Sequence, residues 1–378
     1  MIYTILLLFA LLAVLGLLGL ISSFVYGYYK NLKEDLPNFK PKTCVIVPCK
    51  EKEQNLEKNL EAICTQNYPN YNVIFVLDSK KDTAYQSVSN IVKKFKNSKV
   101  EFSEKLEGCS GKISALLAGI KKAGDVEVYV FADSDICPHK DWLKNLVAYL
   151  SDKKVGATTG FRWYFPNNWK SSLISTWNLA AIGGLFYTFT NYAWGGSTAI
   201  RTSLFKKLNI ASKWKKGLSD DLILTELVKS AGYQIKFVPK CIVESPSEVN
   251  IAKFLKWSSQ QLTWVRWYNP LIWLLSSLGF IFLKIFAILG FILIVIGFTV
   301  PGLIMISIFL FEMIYGLIGI LTLKRLMGYP KKKMQFVYRY VILMPAVFFL
   351  YAYNSLTSSF KKQIVWCGRT YQKKDAVK

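Results

Sequence analysis

The chain reads as an α/β domain built on a mainly parallel sheet and flanked by transmembrane helices. Three observations point that way. From Lys42 to Ala132, short apolar runs alternate with amphipathic stretches, the β-α-β-α-β order of a parallel sheet. Long apolar blocks bracket the region on both sides. The 378 residues are 52% hydrophobic, yet carry 48 Lys and Arg against 24 Asp and Glu, a net charge of +24.

Met1 to Tyr29 is an apolar run without a charge, long enough to cross a bilayer as a helix over 1–29. No basic residue precedes it and no small-residue cleavage site follows, so it is expected to remain as an anchor. Lys30 and Lys33 then assign the downstream side to the cytoplasm.

Within a cytosolic domain at 40–250, strands are expected at Thr43–Pro48, Tyr71–Asp78, Val100–Phe102 and Val126–Ala132. Helices are expected over Asn55–Asn67, Tyr85–Phe95 and Lys112–Ala123. Ser171–Tyr192 is apolar but studded with Ser, Thr, Asn and Gly, which favours a buried or interfacial element over a span. Leu218–Ala231 reads as a helix stopped by Gly232. Residues 251–269 form an amphipathic interfacial helix, with Phe254, Trp257, Trp264 and Trp267 interleaved with Lys253, Lys256 and Arg266.

Residues 270–356 hold two to three spans. Pro270–Val300 and Gly302–Leu323 are separated by Pro301, and Lys284 suggests that the first block opens along the surface. A basic loop (Lys324, Arg325, Lys331, Lys332, Lys333) follows and is expected in the cytoplasm. Tyr340–Tyr353 is a shorter block containing Pro345. A span there, the course favoured, would put the basic tail at 357–378 outside, against the positive-inside tendency; a re-entrant course avoids this.

The basicity suits an anionic lipid surface and a negatively charged soluble substrate. No nucleic-acid recognition motif is present. Seven cysteines without a C-x-x-C pair, and one histidine, argue against a zinc site and for reduced thiols facing the cytosol.

The chemistry-bearing residues collect at strand ends. In Val130–Ile136 an apolar strand stops at Asp133-Ser134-Asp135, whose two carboxylates can point the same way. Such a pair suits Mg²⁺ or Mn²⁺ bridging to substrate phosphates, although Asp and Ser also make ordinary turns after strands. Pro48, Asp78 and Asp133 all lie at carboxyl ends of strands, where parallel sheets bind ligands. Pro48, Lys50 and Glu53 offer either a nucleotide cradle or a plain strand–loop–helix corner. Asp78 can accept hydrogen bonds from a uracil or ribose edge. Lys112, after Gly108-Cys109-Ser110-Gly111, is either a diphosphate contact or a solvated helix-start lysine, and the glycine spacing is not that of a P-loop. Ser219-Asp220-Asp221 opens a helix with one acid more than capping requires, and the second suits a general base. Near Gln260 and Gln261, Arg266 can clamp a phosphate and Trp267 can stack on a ring, unless both merely anchor the helix at the interface.

As an ordered set, Pro48, Asp78, Asp133-x-Asp135, Asp220-Asp221 and Arg266-Trp267 resemble glycosyltransferase family 2, with a GT-A (nucleotide-diphospho-sugar transferase) domain between membrane segments. The chain is similar to the ceramide glucosyltransferase-like branch through Asn67–Tyr71, Gly111-Lys112-Ile113 and the run Trp366-Cys367-Gly368-Arg369-Thr370-Tyr371. The resemblance implies an integral membrane enzyme, its catalytic domain cytoplasmic, that moves a hexose from a UDP-sugar to a membrane lipid hydroxyl with inversion. It implies that Asp78 contacts the base, that Asp133 and Asp135 hold nucleotide and Mg²⁺ or Mn²⁺, and that Asp221 is the base. Pro48, Lys50, Glu53, Lys112 and Asp220 would line the nucleotide-sugar site, and Gln261, Arg266 and Trp267 the acceptor and diphosphate side. The family's closing motif, Gln/Arg-x-x-Arg-Trp, departs here, because Thr263 stands three before Arg266 and the glutamines are at 260 and 261. That departure weighs against a processive polysaccharide synthase. A non-enzymatic protein that binds lipid surfaces is the alternative outside enzymes.

Overall fold

The computed structural model describes residues 2–32, 34–166, 168–245, 250–329, 336–366 and 368–376. Lys33, Lys331, Lys332, Lys333 and Cys367 lie outside them. After the apolar helix α1 (Ile2–Leu32), the first half of the sheet domain comprises β1 (Thr43–Pro48), α2 (Leu56–Cys64), β2 (Tyr71–Leu77), α3 (Tyr85–Lys94), β3 (Ser98–Phe102), α4 (Gly111–Lys122), β4 (Val128–Ala132) and α5 (Trp142–Ala148). The second half comprises β5 (Val155–Tyr164), α6 (Trp169–Gly183), β6 (Ser197–Arg201), α7 (Thr202–Lys207), α8 (Ile210–Trp214), α9 (Asp220–Ser230) and β7 (Gln234–Ser245). Then come α10 (Ile251–Tyr268), α11 (Pro270–Val295), α12 (Thr299–Ile306), α13 (Ile308–Leu326), α14 (Val337–Phe360), and a hairpin of β8 (Gln363–Trp366) and β9 (Arg369–Gln372).

The seven strands run in the order β3-β2-β1-β4-β6-β5-β7. All neighbours are parallel except β6, which is antiparallel to both β4 and β5. The first half matches the sequence expectation to within three residues at each end. Its central strands β1, β2 and β4 are covered on both faces, and for that reason they read as continuous apolar runs. The strands β5 to β7 were not expected, since Gly156, Gly160, Arg162 and Pro239 break their pattern. Gly160 has a packing reason: a Cβ there would lie 2.0 Å from the Cys241 carbonyl oxygen, where β5 and β7 shift register.

The helix α6 bears out the reading of Ser171–Tyr192 as a buried element. Ser171, Ser172, Ser175, Thr176 and Asn178 are all buried, and the hydroxyls of Ser172 and Thr176 donate to carbonyls one turn back. α6 lies between the sheet and α14, where the Trp177 and Tyr351 rings stack at 5.1 Å and the Tyr351 hydroxyl donates to the Trp177 carbonyl at 3.0 Å.

Three stretches, Pro270–Val295, Thr299–Leu326 and Val337–Phe360, are long and apolar enough to cross a membrane. The first two form an outward and a returning limb. The break between them is at Gly297 (φ +92°) rather than at Pro301, which sits in the first turn of α12, where its missing N–H would have no helical partner. Gly302 lets the limbs approach closely, since a Cβ there would lie 2.6 Å from the Gly290 carbonyl oxygen. Lys284 does not mark a surface segment. Its side chain is 4% exposed and donates to both carboxylate oxygens of Glu312 on α13, at 2.5 and 2.8 Å. The Phe349 ring centroid lies 4.5 Å from its ammonium. A lone charge at that depth would be costly, and the pair makes it tolerable.

α14 is packed against the rest of the chain at both of its ends. At its start Tyr340 stacks on Trp163 of β5 at 5.7 Å. At its end Asn354 and Thr357 bond Ser258 and Ser259 of α10, and Arg266 donates to the Ser359 and Lys361 carbonyls. Pro345 in the middle removes one helical hydrogen bond. Its start therefore meets the sheet domain and its end meets α10. Within the basic tail at 357–378, the described residues form a docked hairpin: β8 and β9 pair, and fully buried Ile364 joins the cluster that holds Ile113 and Leu116 of α4.

Lys284→Met leaves Glu312 buried and unpaired, with an expected loss of about 3–5 kcal/mol read as a lower Tm in detergent. Adding Glu312→Met should recover most of it. A double variant that melts as low as the single one would show that the pair does more than neutralise itself.

Candidate active site

The cleft begins where β1 ends. Pro48 leads into a loop in which Glu51 and Asn55 both take φ 61°. Asp82 Oδ1 accepts the Glu51 N–H and Thr83 Oγ1 the Lys52 N–H, each at 2.9 Å, so the loop is pinned from outside. It carries Lys50 to 3.6 Å from Asp78 Oδ2, just after β2. The Ser103 hydroxyl donates to Asp78 Oδ1 at 3.2 Å.

At the end of β4, Asn59 Nδ2 donates to the Ser134 carbonyl at 3.1 Å and fixes the turn that carries Asp133 and Asp135. Lys112 lies in the first turn of α4, whose cap Ser110 accepts the Ile113 N–H; such a cap contributes ~1 kcal/mol. The Lys112 ammonium lies 2.8 Å from Asp133 Oδ1 and 3.4 Å from Asp220 Oδ2. From β5, Arg162 reaches over both members of the pair, with Nη2 3.2 Å from Asp133 Oδ2 and Nη1 3.1 Å from Asp135 Oδ2. Its guanidinium lies 5.0 Å from the Trp194 ring centroid.

The backbone of Gly195 and Gly196 passes over these charges. A Cβ on Gly195 would lie 2.3 Å from Asp220 Oδ2, and one on Gly196 2.6 Å from Asp133 Oδ2, so only glycine allows the approach. Ser219 caps α9. Asp221 Oδ1 accepts the Ser219 hydroxyl and the Leu222 N–H, while Oδ2 lies 3.5 Å from the Gly195 nitrogen.

The electrostatics follow from this packing. Burial alone would raise Asp133, but Lys112 and Arg162 outweigh it and hold the carboxyl below its ordinary range. Burial raises Asp135, with Arg162 only partly offsetting it and Asp133 adding repulsion. Asp220 is pushed up to about 6 by burial against the pull of Lys112, with Asp221 and Asp133 adding to the rise. Desolvation, then Asp135 and Asp133, push Glu53 up to about 7.

Asp133 and Asp135 supply hard oxygen donors on one side only. That donor set fits a divalent cation which keeps water or phosphate ligands, provided it takes the place of Arg162, which here faces both carboxylates. Among the described residues no group of three or more His, Cys, Asp or Glu is arranged to hold a metal ion.

Of the residues singled out by sequence, Lys112, Asp133, Asp135, Asp220 and Asp221 meet in one cleft, with Glu53 felt electrostatically. Pro48, Lys50 and Asp78 form its neighbouring edge. Gln261, Arg266 and Trp267 have different surroundings. The Arg266 guanidinium is bonded to the end of α14, and Trp267, 4% exposed, belongs to the buried cluster with Ile364 and Tyr371. Gln261 is half-buried on α10, and it is Gln260 that reaches the hairpin, donating to the Val365 carbonyl at 3.1 Å. In this structure Arg266 holds the end of α14 and Trp267 packs in the cluster that docks the C-terminal hairpin. Sequence reasoning missed Arg162, Gly195 and Gly196. The signals were a lone charge inside Gly160-Phe161-Arg162-Trp163 and a glycine pair before Ser197.

Gly195→Ala should cost about 1–3 kcal/mol, because the added methyl must displace a carboxylate or the backbone. Gly184→Ala is the control: its Cβ would have its nearest contact at 3.7 Å, and a change within about 0.5 kcal/mol is expected. Denaturant midpoints of the two variants check this.

A family model described as Glycosyl transferase family 21 matches residues 11–376. The probable glycosyltransferase YdaM of Bacillus subtilis is 26% identical over 262 residues, 65% of this chain and 58% of its own length. Ceramide glucosyltransferase 3 of Caenorhabditis elegans is 21% identical over 238 residues, 61% of this chain and 51% of its own. The chain therefore spans between half and three-fifths of these relatives' lengths. Among solved structures, the mannosyltransferase PcManGT from Pyrobaculum calidifontis, in complex with GDP-Man and Mn²⁺, superposes with a TM-score of 0.48 at 19% identity, covering 68% of this chain and 73% of that one. The ceramide glucosyltransferase-like resemblance is borne out, and the chain belongs to glycosyl transferase family 21.

Proposed function

We propose that the protein is an inverting glycosyltransferase that moves a hexose, glucose for preference, from a UDP-sugar to the hydroxyl of a membrane lipid. One observation carries this reading: acids from β4 and α9 meet a lysine and an arginine in a single cleft at the carboxyl edge of the sheet. Pro48, Lys50 and Asp78 line the nucleoside end. Lys112 and the start of α4 take the diphosphate. Asp133 and Asp135 would hold Mg²⁺ or Mn²⁺, which neutralises charge on the departing diphosphate.

Asp221 is the base. The Ser219 hydroxyl and the Leu222 N–H fix one oxygen, and the other can take the acceptor proton. The acceptor oxygen bonds to the anomeric carbon as the bond to UDP breaks, and the electron pair leaves with UDP. A single displacement inverts the centre. Lys112 stabilises the charge that grows on the leaving group.

The acceptor side is apolar. A buried cluster joins α13, α14 and α6 to Phe161, with Tyr192 and Trp194 packed on it, and Trp194 is next in sequence to Gly195, which faces Asp221. The apolar helices packed beside the acids are where a lipid acceptor would be met. A cytoplasmic catalytic domain is favoured by Lys30, which follows the apolar helix α1.

The test is a panel of UDP-sugars incubated with the detergent-purified protein and extracted lipids. Release of UDP with one glycolipid product is expected. A growing polymer would favour a processive synthase, and no UDP release with any donor would overturn the enzyme reading. Asp221→Asn should lower turnover by roughly 10²–10⁴-fold while UDP binding persists. Turnover should also fall as pH drops through about 6, because Asp220 then takes up a proton and Lys112 loses a counter-charge. Asp220→Asn should displace that acid limb in a kcat/KM profile.

A further inference from the structure

The hairpin that follows α14 is docked on the start of α4, beside the cleft. Isolated two-stranded hairpins are marginally stable in water, so its anchors matter. Ile364 is fully buried, Tyr371 is 9% exposed with its hydroxyl 3.5 Å from the Gly111 nitrogen, and Gln260 holds the Val365 carbonyl. None of these anchors is Arg369.

Arg369 points elsewhere. Nη2 lies 3.5 Å from Asp78 Oδ2, the oxygen that also faces Lys50. Nη1 lies so close over Gly111 that a Cβ there would be 2.7 Å away. The next residue is Lys112, whose ammonium meets Asp133. The guanidinium therefore stands between the carboxylate at the nucleoside end and the lysine at the diphosphate end. Its ion pair is long and its side chain 26% exposed, so the contact with Asp78 contributes little to docking the hairpin. Among the described residues Asp78 is its one hydrogen-bond partner, and the other N–H groups of its planar fork are open to a ligand.

We propose that Arg369 is a donor-binding residue that takes the diphosphate of the nucleotide-sugar in a charge-assisted, two-pronged contact, so that the segment after the membrane helices completes the donor site. The inference rests on the glycosyltransferase reading above. A guanidinium matches two phosphate oxygens in a way that an ammonium does not.

The experiment titrates UDP and UMP into the full-length protein in detergent by calorimetry, for wild type, Arg369→Ala, Arg369→Lys and Ile364→Asp, with Tm measured in parallel. Arg369→Ala should weaken UDP about tenfold or more at unchanged Tm and weaken UMP less, since one phosphate is missing. Arg369→Lys should recover only part of the loss. Ile364→Asp, which undocks the hairpin, should weaken UDP at least as much as Arg369→Ala. In turnover, the donor KM should rise while the lipid KM stays put. UDP affinity within twofold of wild type in Arg369→Ala overturns the inference alone. So does an equal loss of UMP and UDP binding with a lowered Tm, the mark of a merely structural role. If wild type binds no nucleoside diphosphate, the donor reading falls and takes this inference with it.

Discussion

Buried carboxylates must be paired, and that requirement organises this molecule. Asp133, Asp135 and Asp220 face two cations, Lys112 and Arg162, from four different elements. At about 3 Å and an effective dielectric constant of ~20, one such contact has a Coulomb energy of roughly 5 kcal/mol before desolvation is subtracted, so losing a cation would be felt throughout the cleft. The pairing also dictates local structure. Arg162 is on β5 and Asp133 follows β4, two strands or ~10 Å apart, with β6 between them. An arginine spans that gap only if nothing rises from the strand it crosses. Gly195 and Gly196 stand just where β6 begins, so the glycines, the antiparallel insertion of β6 and the arginine form one device.

The same logic applies inside the membrane part. Lys284 and Glu312 neutralise each other across two limbs, and the glycines at 290 and 302 bring α11 against α12. This bundle is coupled to the catalytic cleft by packing, through one apolar cluster that runs from α13 and α14 past α6 to Phe161, one residue from Arg162. Trp163, on the other side of Arg162 in sequence, stacks on Tyr340 of α14, so both sequence neighbours of Arg162 pack against the bundle.

Legibility in the sequence followed how far each feature could be read locally. The strands β1, β2 and β4 are apolar on both faces, and Asp78, Asp133 and Asp220-Asp221 sit at ends that topology makes chemical. β5 and β7 were illegible because their interruptions are functional or mutual: Arg162 serves the cleft, and Gly160 admits a neighbouring carbonyl. Arg162 was invisible as a site residue because its partners lie 27 and 29 positions earlier, across the sheet. Lys284 looked like a surface marker for a similar reason, since Glu312 is 28 residues on. Arg266 and Trp267 were visible as a motif, but what they hold, the return of the chain after α14, is a tertiary fact.

That return raises a question of stability, since residues near 364 must find residues near 113 after a long detour through the membrane. The detour itself costs little. Loop-closure entropy grows only logarithmically, about 0.6 kcal/mol for each doubling of length, and the bundle already holds both ends of α14 against the sheet domain and α10. Burying Ile364 and most of Tyr371 contributes roughly 1.5–3 kcal/mol for each side chain, enough to hold a short hairpin once its ends are delivered. Two buried side chains therefore suffice to seat the hairpin, because both ends of α14 are already held. Through that docking Asp78 faces Arg369 as well as Lys50, so one short segment joins the edge of the site to the membrane part of the chain.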